Sequence, residues 1–288
     1  MKQKRHVCIN CVDVMQLLFI YKGFDYYKCV NCQLVSTIPY PYDKQIMKHY
    51  ADGFKNGNYK FLRDFSDQYR AVYKQLADIL ENSFDDKSFE SKKILDVGCF
   101  TGDFLEILQQ RGADVYGLEL QPEAVKLANK KLPGRVKKVD LNNYKLTPSR
   151  FDAVSLLGVI EHVLDPPQLI KQCRSVLKKN GVIIIQTPNS SSFLAKALGK
   201  LWPPYSPVEH IHIYGHRSMQ KVLSEFGFTK IKFKNHWKKL SIGYVYNMFN
   251  VFGPEFHKVL KPIGKHISKS RIMLPFYIGE MVVIAKRR

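Results

Sequence analysis

From Lys93 onward, short apolar runs alternate with segments whose apolar residues recur every three or four positions. "KILDVG" predicts a strand and "GDFLEILQQRG" the helix after it. "DVYGLEL" and "PEAVKLANKKL" repeat the pair. A short strand "RVKKVDL" follows, then "FDAVSLLG", the helix "PPQLIKQCRSVLKKNG", the strand "GVIIIQTP", the helix "HRSMQKVLSEFGF" and the strand "TKIKFKNHW". Gly112, Gly181 and Gly227 stand where helix C-caps are expected. The last apolar strand is "GEMVVIAKRR". Strands spaced by amphipathic helices imply an α/β fold, with a parallel sheet covered on both faces.

The first 91 residues read differently. "FIYKGFDYYKC" alternates around Lys22-Gly23, as a β-hairpin does. "STIPYPYD" is a Pro-rich exit, and "DKQIMKHYADGF" and "FSDQYRAVYKQLADILENSF" predict helices. The second helix sets Tyr69, Val72, Tyr73, Leu76, Ile79 and Leu80 on one face. "DDKSFESKK" is a polar loop. The expected organisation is therefore a unit over 1–40, a helical linker over 41–91 and the α/β domain over 92–288. Within that domain, Lys238 to Ile278 forms an insertion before the last strand.

Cysteine sharpens the front unit. Cys8, Cys11, Cys29 and Cys32 form "CINC", seventeen residues, then "CVNC". Each C-x2-C puts two thiolates on one turn, and two such turns close a tetrahedron around Zn²⁺. With no ligand to spare the site is structural, and folding of the unit depends on metal. Four free thiols in a small core is the plainer alternative.

Charge adds a preference for something negative. Lys and Arg number 45 against 25 Asp and Glu, a formal net charge of +20. Thirteen Lys or Arg against two Glu fall between Thr229 and Arg288. A solvated surface explains a diffuse excess of this kind. "LSIGYVYNMFNVFG" and "EFHKVLKPIGKHISKSR" in the insertion suit a lid or a dimer element, with an anionic membrane face as the second option. "SSSFLAKALGKLWPPYSP" reads as a cover on the substrate side, carrying Trp202 and Tyr205. No segment has the length and apolarity of a membrane span, and Asn10, Asp13 and Gln16 break up any signal-peptide core, so a cytoplasmic location is expected, peripheral to the membrane at most.

Chemistry concentrates at the strand ends. In open α/β sheets, ligands sit at the carboxyl ends of strands near the switch point. Asp96, Gly98 and Gly102 occupy that place after the first strand, and Glu119 ends the second about twenty residues on, as in an adenosine site. "ILDVGCFTGDFLEIL", "VYGLELQPEAVKLA", "FDAVSLLGVIEHVLDP" and "LKKNGVIIIQTPN" stand in order. Together they resemble the class I S-adenosylmethionine-dependent methyltransferases. The resemblance implies a Rossmann-like, seven-stranded sheet with helices on both faces. It places Gly98 and Gly102 along the methionine and ribose of the cofactor, with Asp96 beneath, Glu119 on the ribose hydroxyls, and Asp140 and Leu141 at the edge of the adenine. Phe100 departs from the glycine usual there, which fits a cofactor without phosphate.

The four-cysteine ribbon followed by "CQLVSTIPYPYD" and "HYADGF" resembles bacterial methyltransferases of sugar, polysaccharide and antibiotic biosynthesis. That implies a sugar, or a nucleotide- or lipid-linked saccharide, as acceptor. "SPVEHIHIYG" keeps a Glu209-His210 pair, but Pro207 replaces the tyrosine seen in the sugar C-methyltransferases, which leaves the methylated atom open. A hydroxyl acceptor needs a base, and histidine suits that near neutral pH. His210, with Glu209 beside it, leads the candidates, ahead of His162 and His212. His162 also fits a role bonding backbone near the cofactor, and His210 and His212 a polar rim.

An RNA methyltransferase is the alternative that uses the basic surface. However, Leu157-Gly158-Val159-Ile160 replaces the Asn/Asp-Pro-Pro-aromatic motif of amine-directed enzymes, and Thr187-Pro188-Asn189 offers no nucleophilic cysteine. Cys173 falls inside a helix, and aromatics do not interleave with the basic residues. A non-catalytic ribbon module is the second alternative, opposed by the intact Asp96, Gly98, Gly102 and Glu119.

Overall fold

The computed structural model describes residues 5–40, 66–139, 148–252 and 261–288. The expected helix over 43–54, and Asp140 and Leu141, lie outside the described residues.

Seven strands form the main sheet: β5 (Lys93–Val97), β6 (Asp114–Glu119), β7 (Val136–Lys138), β8 (Phe151–Leu157), β9 (Leu177–Pro188), β11 (Phe228–Ser241) and β12 (Met273–Arg287). Their order is β11-β12-β9-β8-β5-β6-β7. The sheet is parallel except for β12, which runs antiparallel to both β9 and β11. The seven-stranded, mostly parallel sheet implied by the strand–helix alternation and the resemblance is thus present, with one antiparallel strand. Because β12 follows β11 as a hairpin partner, it returns in the opposite sense and needs no crossover helix. Ile183, Ile184, Ile185, Val282, Val283 and Ala285 are buried, as strands covered on both faces require.

Helices α1 (Ser66–Glu81), α2 (Asp103–Gln110), α3 (Pro122–Lys131), α4 (Pro166–Val176) and α6 (His216–Glu225) follow the predicted periodicity, while the short α5 (Phe193–Leu198) lies in the stretch read as a cover. α1 buries Val72, Leu76, Ala77 and Leu80 in the core that holds Phe104, Leu105 and Leu108 of α2. Asp165 caps α4 by accepting from the Gln168 N–H at 2.9 Å, and Pro166 takes the first turn, where no N–H is needed. Gly112 and Gly227 end α2 and α6, but Gly181 does not end α4. That helix stops at Val176, and Gly181 lies inside β9.

The front unit is a sheet of β1 (His6–Val7), β2 (Val14–Tyr21), β3 (Phe24–Cys29) and β4 (Val35–Ile38), with β2 and β3 turning at Lys22-Gly23. A fifth strand comes from far along the chain. β10 (His212–Ile213) pairs with β4, matching His212 to Ser36 and Ile213 to Val35. The ribbon also docks on α6, where Asn10 accepts from the Tyr214 hydroxyl at 3.0 Å and donates to the Ser218 carbonyl at 3.1 Å. Trp202 and Tyr205, expected on a substrate-side cover, are instead buried with Tyr26, Val35 and Ile213 under the ribbon sheet. Packing against that sheet removes more apolar surface from water than a lid position does.

β11 and β12 both run into the 238–278 stretch, so its ends are strand. Between them lie α7 (Ile242–Phe252), a short 3₁₀ turn (Lys261–Ile263) and α8 (Gly264–Ile267). Gln68 of α1 clasps the start of this stretch, donating to Ser241 Oγ at 2.8 Å and accepting from the Ser241 N–H at 3.0 Å. Among the described residues no helix is long and apolar enough to cross a membrane.

Candidate functional site

The turn after β5 is built on left-handed backbone. Gly98, Phe100 and Gly102 have φ of 74°, 47° and 75°. A Cβ at Gly98 would fall 2.6 Å from Val159 Cγ2, so the turn packs directly on the segment leaving β8. The Gly98 and Cys99 N–H groups donate to the Leu118 carbonyl, tying the turn to the end of β6. Phe100 pays the steric cost of a left-handed side chain, and its N–H donates to Glu119 Oε2 at 2.9 Å. Glu119 Oε1 accepts from the Leu120 and Gln121 N–H groups, both at 2.8 Å. Backbone thus fixes this buried carboxylate from two sides.

Asp96 is buried beneath the turn, with Ser155 of β8 donating to its Oδ1 at 2.6 Å. Burial pushes its carboxyl up to about 7. Ser155 opposes the rise and the neighbouring Glu119 charge adds to it. The structure therefore brings Asp96, Gly98, Gly102 and Glu119 together at the carboxyl ends of adjacent strands.

Beyond Gly158 a second constellation forms. Glu161 is buried, and its Oε2 accepts from Thr187 Oγ1 at 2.9 Å. Burial lifts its carboxyl to about 7 against the opposing pull of His210. The Glu161 carbonyl accepts from the N–H groups of Ile211 at 2.8 Å and His212 at 3.2 Å, which draws the 209–212 segment onto β8's exit. His162 Nδ1 donates to the Glu209 carbonyl and His210 Nδ1 to the Pro204 carbonyl, each at 2.7 Å. A carbonyl can only accept, so Nδ1 carries the proton in both rings. The rings stand 4.8 Å apart between centroids at 64°, and His162 Nε2 lies 3.9 Å from Glu161 Oε1.

His162 and His210 thus meet, whereas Glu209 enters the arrangement through its carbonyl. His212 points elsewhere. It is fully buried, with Nδ1 at 2.8 Å from Ser36 Oγ and Nε2 at 3.3 Å from the Leu164 carbonyl. Burial pulls its pKa down to about 4, so it is a neutral strut between ribbon and domain rather than a site histidine. Sequence reasoning passed over Glu161, although the acid stands beside His162 in "IEHV". It also passed over Glu280, signalled by an acid at the head of an apolar strand. Burial works against the Glu280 charge, but Lys238 and His236 hold its carboxyl down to about 2, and Gln186 donates to it.

In the ribbon, the four cysteine sulfurs lie within 4.8 Å of one another, with Cys8–Cys32 and Cys11–Cys29 each at 3.5 Å. Zn–S bonds of about 2.3 Å in a tetrahedron put sulfurs about 3.8 Å apart, so the donor set fits zinc.

Residues 67–232 match the methyltransferase-domain family, well over half the chain. The chain belongs to this family. Its fold is that of the class I S-adenosylmethionine-dependent methyltransferases. It superposes on magnesium protoporphyrin IX methyltransferase from Synechocystis PCC 6803 with bound SAH at a TM-score of 0.56 and 17% identity, covering 85% of this chain and 100% of that one. A SAM-dependent methyltransferase from Archaeoglobus fulgidus gives 0.52 and 20%, covering 80% and 100%. Among curated relatives, the ubiquinone biosynthesis O-methyltransferase of Idiomarina loihiensis is 35% identical over 104 residues, 34% of this chain and 43% of that protein. Its namesake from Thiobacillus denitrificans is 34% identical over 119 residues, 38% and 50%. The chain spans about half the length, or less, of these curated relatives.

Proposed function

We propose that this methyltransferase-family protein moves a methyl group from S-adenosylmethionine to a hydroxyl of a small-molecule acceptor. The observation that carries the reading is the adjacency of two constellations across the Gly98–Val159 contact: the turn with Glu119, and Glu161 with His162 and His210. S-adenosylmethionine, when bound, supplies an electrophilic methyl on a sulfonium. Glu119, held by three backbone N–H groups, presents its carboxylate to the ribose hydroxyls, with Asp96 below. Asp140 and Leu141 are assigned to the adenine edge by resemblance alone. His210, with Nδ1 protonated, offers Nε2 to take the proton of the acceptor hydroxyl. The enzyme's main contribution is alignment.

The names of the curated relatives favour oxygen as the methylated atom. Those matches cover about a third of this chain and leave the acceptor open. A sugar or a nucleotide- or lipid-linked saccharide is the acceptor that the resemblance of the ribbon segment implies, and the four sulfurs support a structural Zn²⁺. The test is a screen of nucleotide-sugars and other hydroxylated acceptors for turnover to S-adenosylhomocysteine, with calorimetry of S-adenosylhomocysteine binding beside it. Turnover on one hydroxyl class is the expected result. Absence of cofactor binding overturns the reading.

A further inference from the structure

Glu161, His162 and His210 have the geometry of a metal-ion site. Each offers one ligand atom, and the three atoms lie within 4.8 Å of one another. A divalent ion with bonds of about 2.1 Å holds neighbouring ligands roughly 3.0–3.5 Å apart, so shifts of about 1 Å close the set.

The surroundings match what such a set requires. A ligating histidine donates its other ring N–H to a carbonyl or carboxylate, which fixes the tautomer. Both rings do so, His162 to Glu209 and His210 to Pro204, each at 2.7 Å. Thr187 engages Glu161 Oε2, so Oε1 is the oxygen turned toward His162. The space next to it is open. Among the described residues, chain neighbours aside, the nearest atoms to a Cβ at Gly158 would be Glu161 Oε1 at 3.9 Å and Gln186 Oε1 at 4.0 Å. Buried carboxylates are paired or bound to metal.

We propose that Glu161, His162 and His210 bind one divalent first-row transition cation at the acceptor side of the site, separate from the ribbon. Two imidazoles and one carboxylate select such ions over Mg²⁺ or Ca²⁺, which take all-oxygen sets. Three protein ligands leave positions for the acceptor oxygen. The inference rests on the reading of this corner as the acceptor side and changes one role in it: His210 becomes a ligand rather than the base. The hydroxyl O–H then breaks on the cation and its proton passes to water. The oxygen forms its bond to the methyl as the S–CH₃ bond breaks.

The test uses the full chain with its ribbon zinc, titrated with Mn²⁺ and followed by the electron paramagnetic resonance signal of free Mn²⁺. One Mn²⁺ per chain is expected beyond the zinc, with affinity falling tenfold or more in Glu161→Gln, His162→Gln and His210→Gln. S-adenosylhomocysteine binding and retained zinc serve as the folding control, and any one variant that passes it suffices. Absence of Mn²⁺ binding, or an affinity that none of these variants changes, overturns the proposal. Mn²⁺ binding is read without turnover. A chain that binds Mn²⁺ but methylates nothing therefore sinks the proposed function and leaves the metal site standing.

Discussion

The Phe100 N–H donates to Glu119 Oε2 at 2.9 Å, so the residue that breaks the glycine pattern also holds the acid at the end of the next strand. Glu119→Ala removes the acceptor for three backbone N–H groups and the proposed ribose partner. The expected result is a loss of about tenfold or more in S-adenosylhomocysteine affinity by calorimetry.

At φ 47° the Phe100 backbone suits glycine better than any residue with a Cβ. Comparing Phe100→Ala with Phe100→Gly removes the ring in both and isolates that preference. The glycine variant is expected to be the more stable by about 1 kcal/mol in urea unfolding. Equal stabilities would mean that the turn is not left-handed in solution.

His210 and His212 are two residues apart and have opposite environments. His210→Ala is expected to lower turnover about 100-fold or more while cofactor affinity holds. His212→Ala is expected to cost about 2–3 kcal/mol of stability and to leave turnover per folded molecule within a few-fold, because it unpairs Ser36 rather than the site. A reversed pattern would exchange their roles.

Asp96 ties stability to pH. Burial raises its folded pKa to about 7, above its ordinary value, so the folded state holds the proton more tightly than the unfolded chain. Its contribution is fully present below about pH 4 and is lost as pH rises through about 7. Asp96→Asn keeps the Ser155 hydrogen bond and removes the titration. Its stability relative to the parent should therefore grow from pH 4 to pH 8, by no more than about 4 kcal/mol. A gap that stays constant with pH would show that Asp96 is ionised throughout.

Replacing Cys29 with Ser, which removes one ligand of the zinc proposed for the ribbon and leaves the Glu161–His162–His210 cluster untouched, is expected to lower the melting temperature and to abolish turnover. S-adenosylhomocysteine binding should persist, because Asp96 and Glu119 stand on β5 and β6 and Gly98 and Gly102 in the turn between β5 and α2, away from the ribbon sheet. Loss of cofactor binding along with turnover would show that the two sheets unfold as one.

Much of this was legible in the sequence because the signals are local. The 3.6-residue spacing of α1, the Lys22-Gly23 turn and the paired cysteines each declare themselves within a few residues. The positive φ of Phe100 was not legible, since nothing about phenylalanine announces it. Nor was β10: two residues make no periodic signal, and its partner β4 lies about 175 residues earlier. Glu161 was overlooked beside the more conspicuous His162, since burial of an acid depends on Thr187 and the 209–212 segment folding over it. Gly181 misled because a glycine after a helical run looks like a cap, whereas β9 begins at Leu177.

The β4–β10 pairing limits modularity. The segment carrying His210 is bonded on one edge to Glu161 of the α/β domain and on the other to Thr37 of the ribbon. The ribbon is therefore not an accessory that could be shed or exchanged while the candidate site stays whole. Any shuffling that replaced the first forty residues would have to bring a strand edge able to receive Ile211 and Ile213.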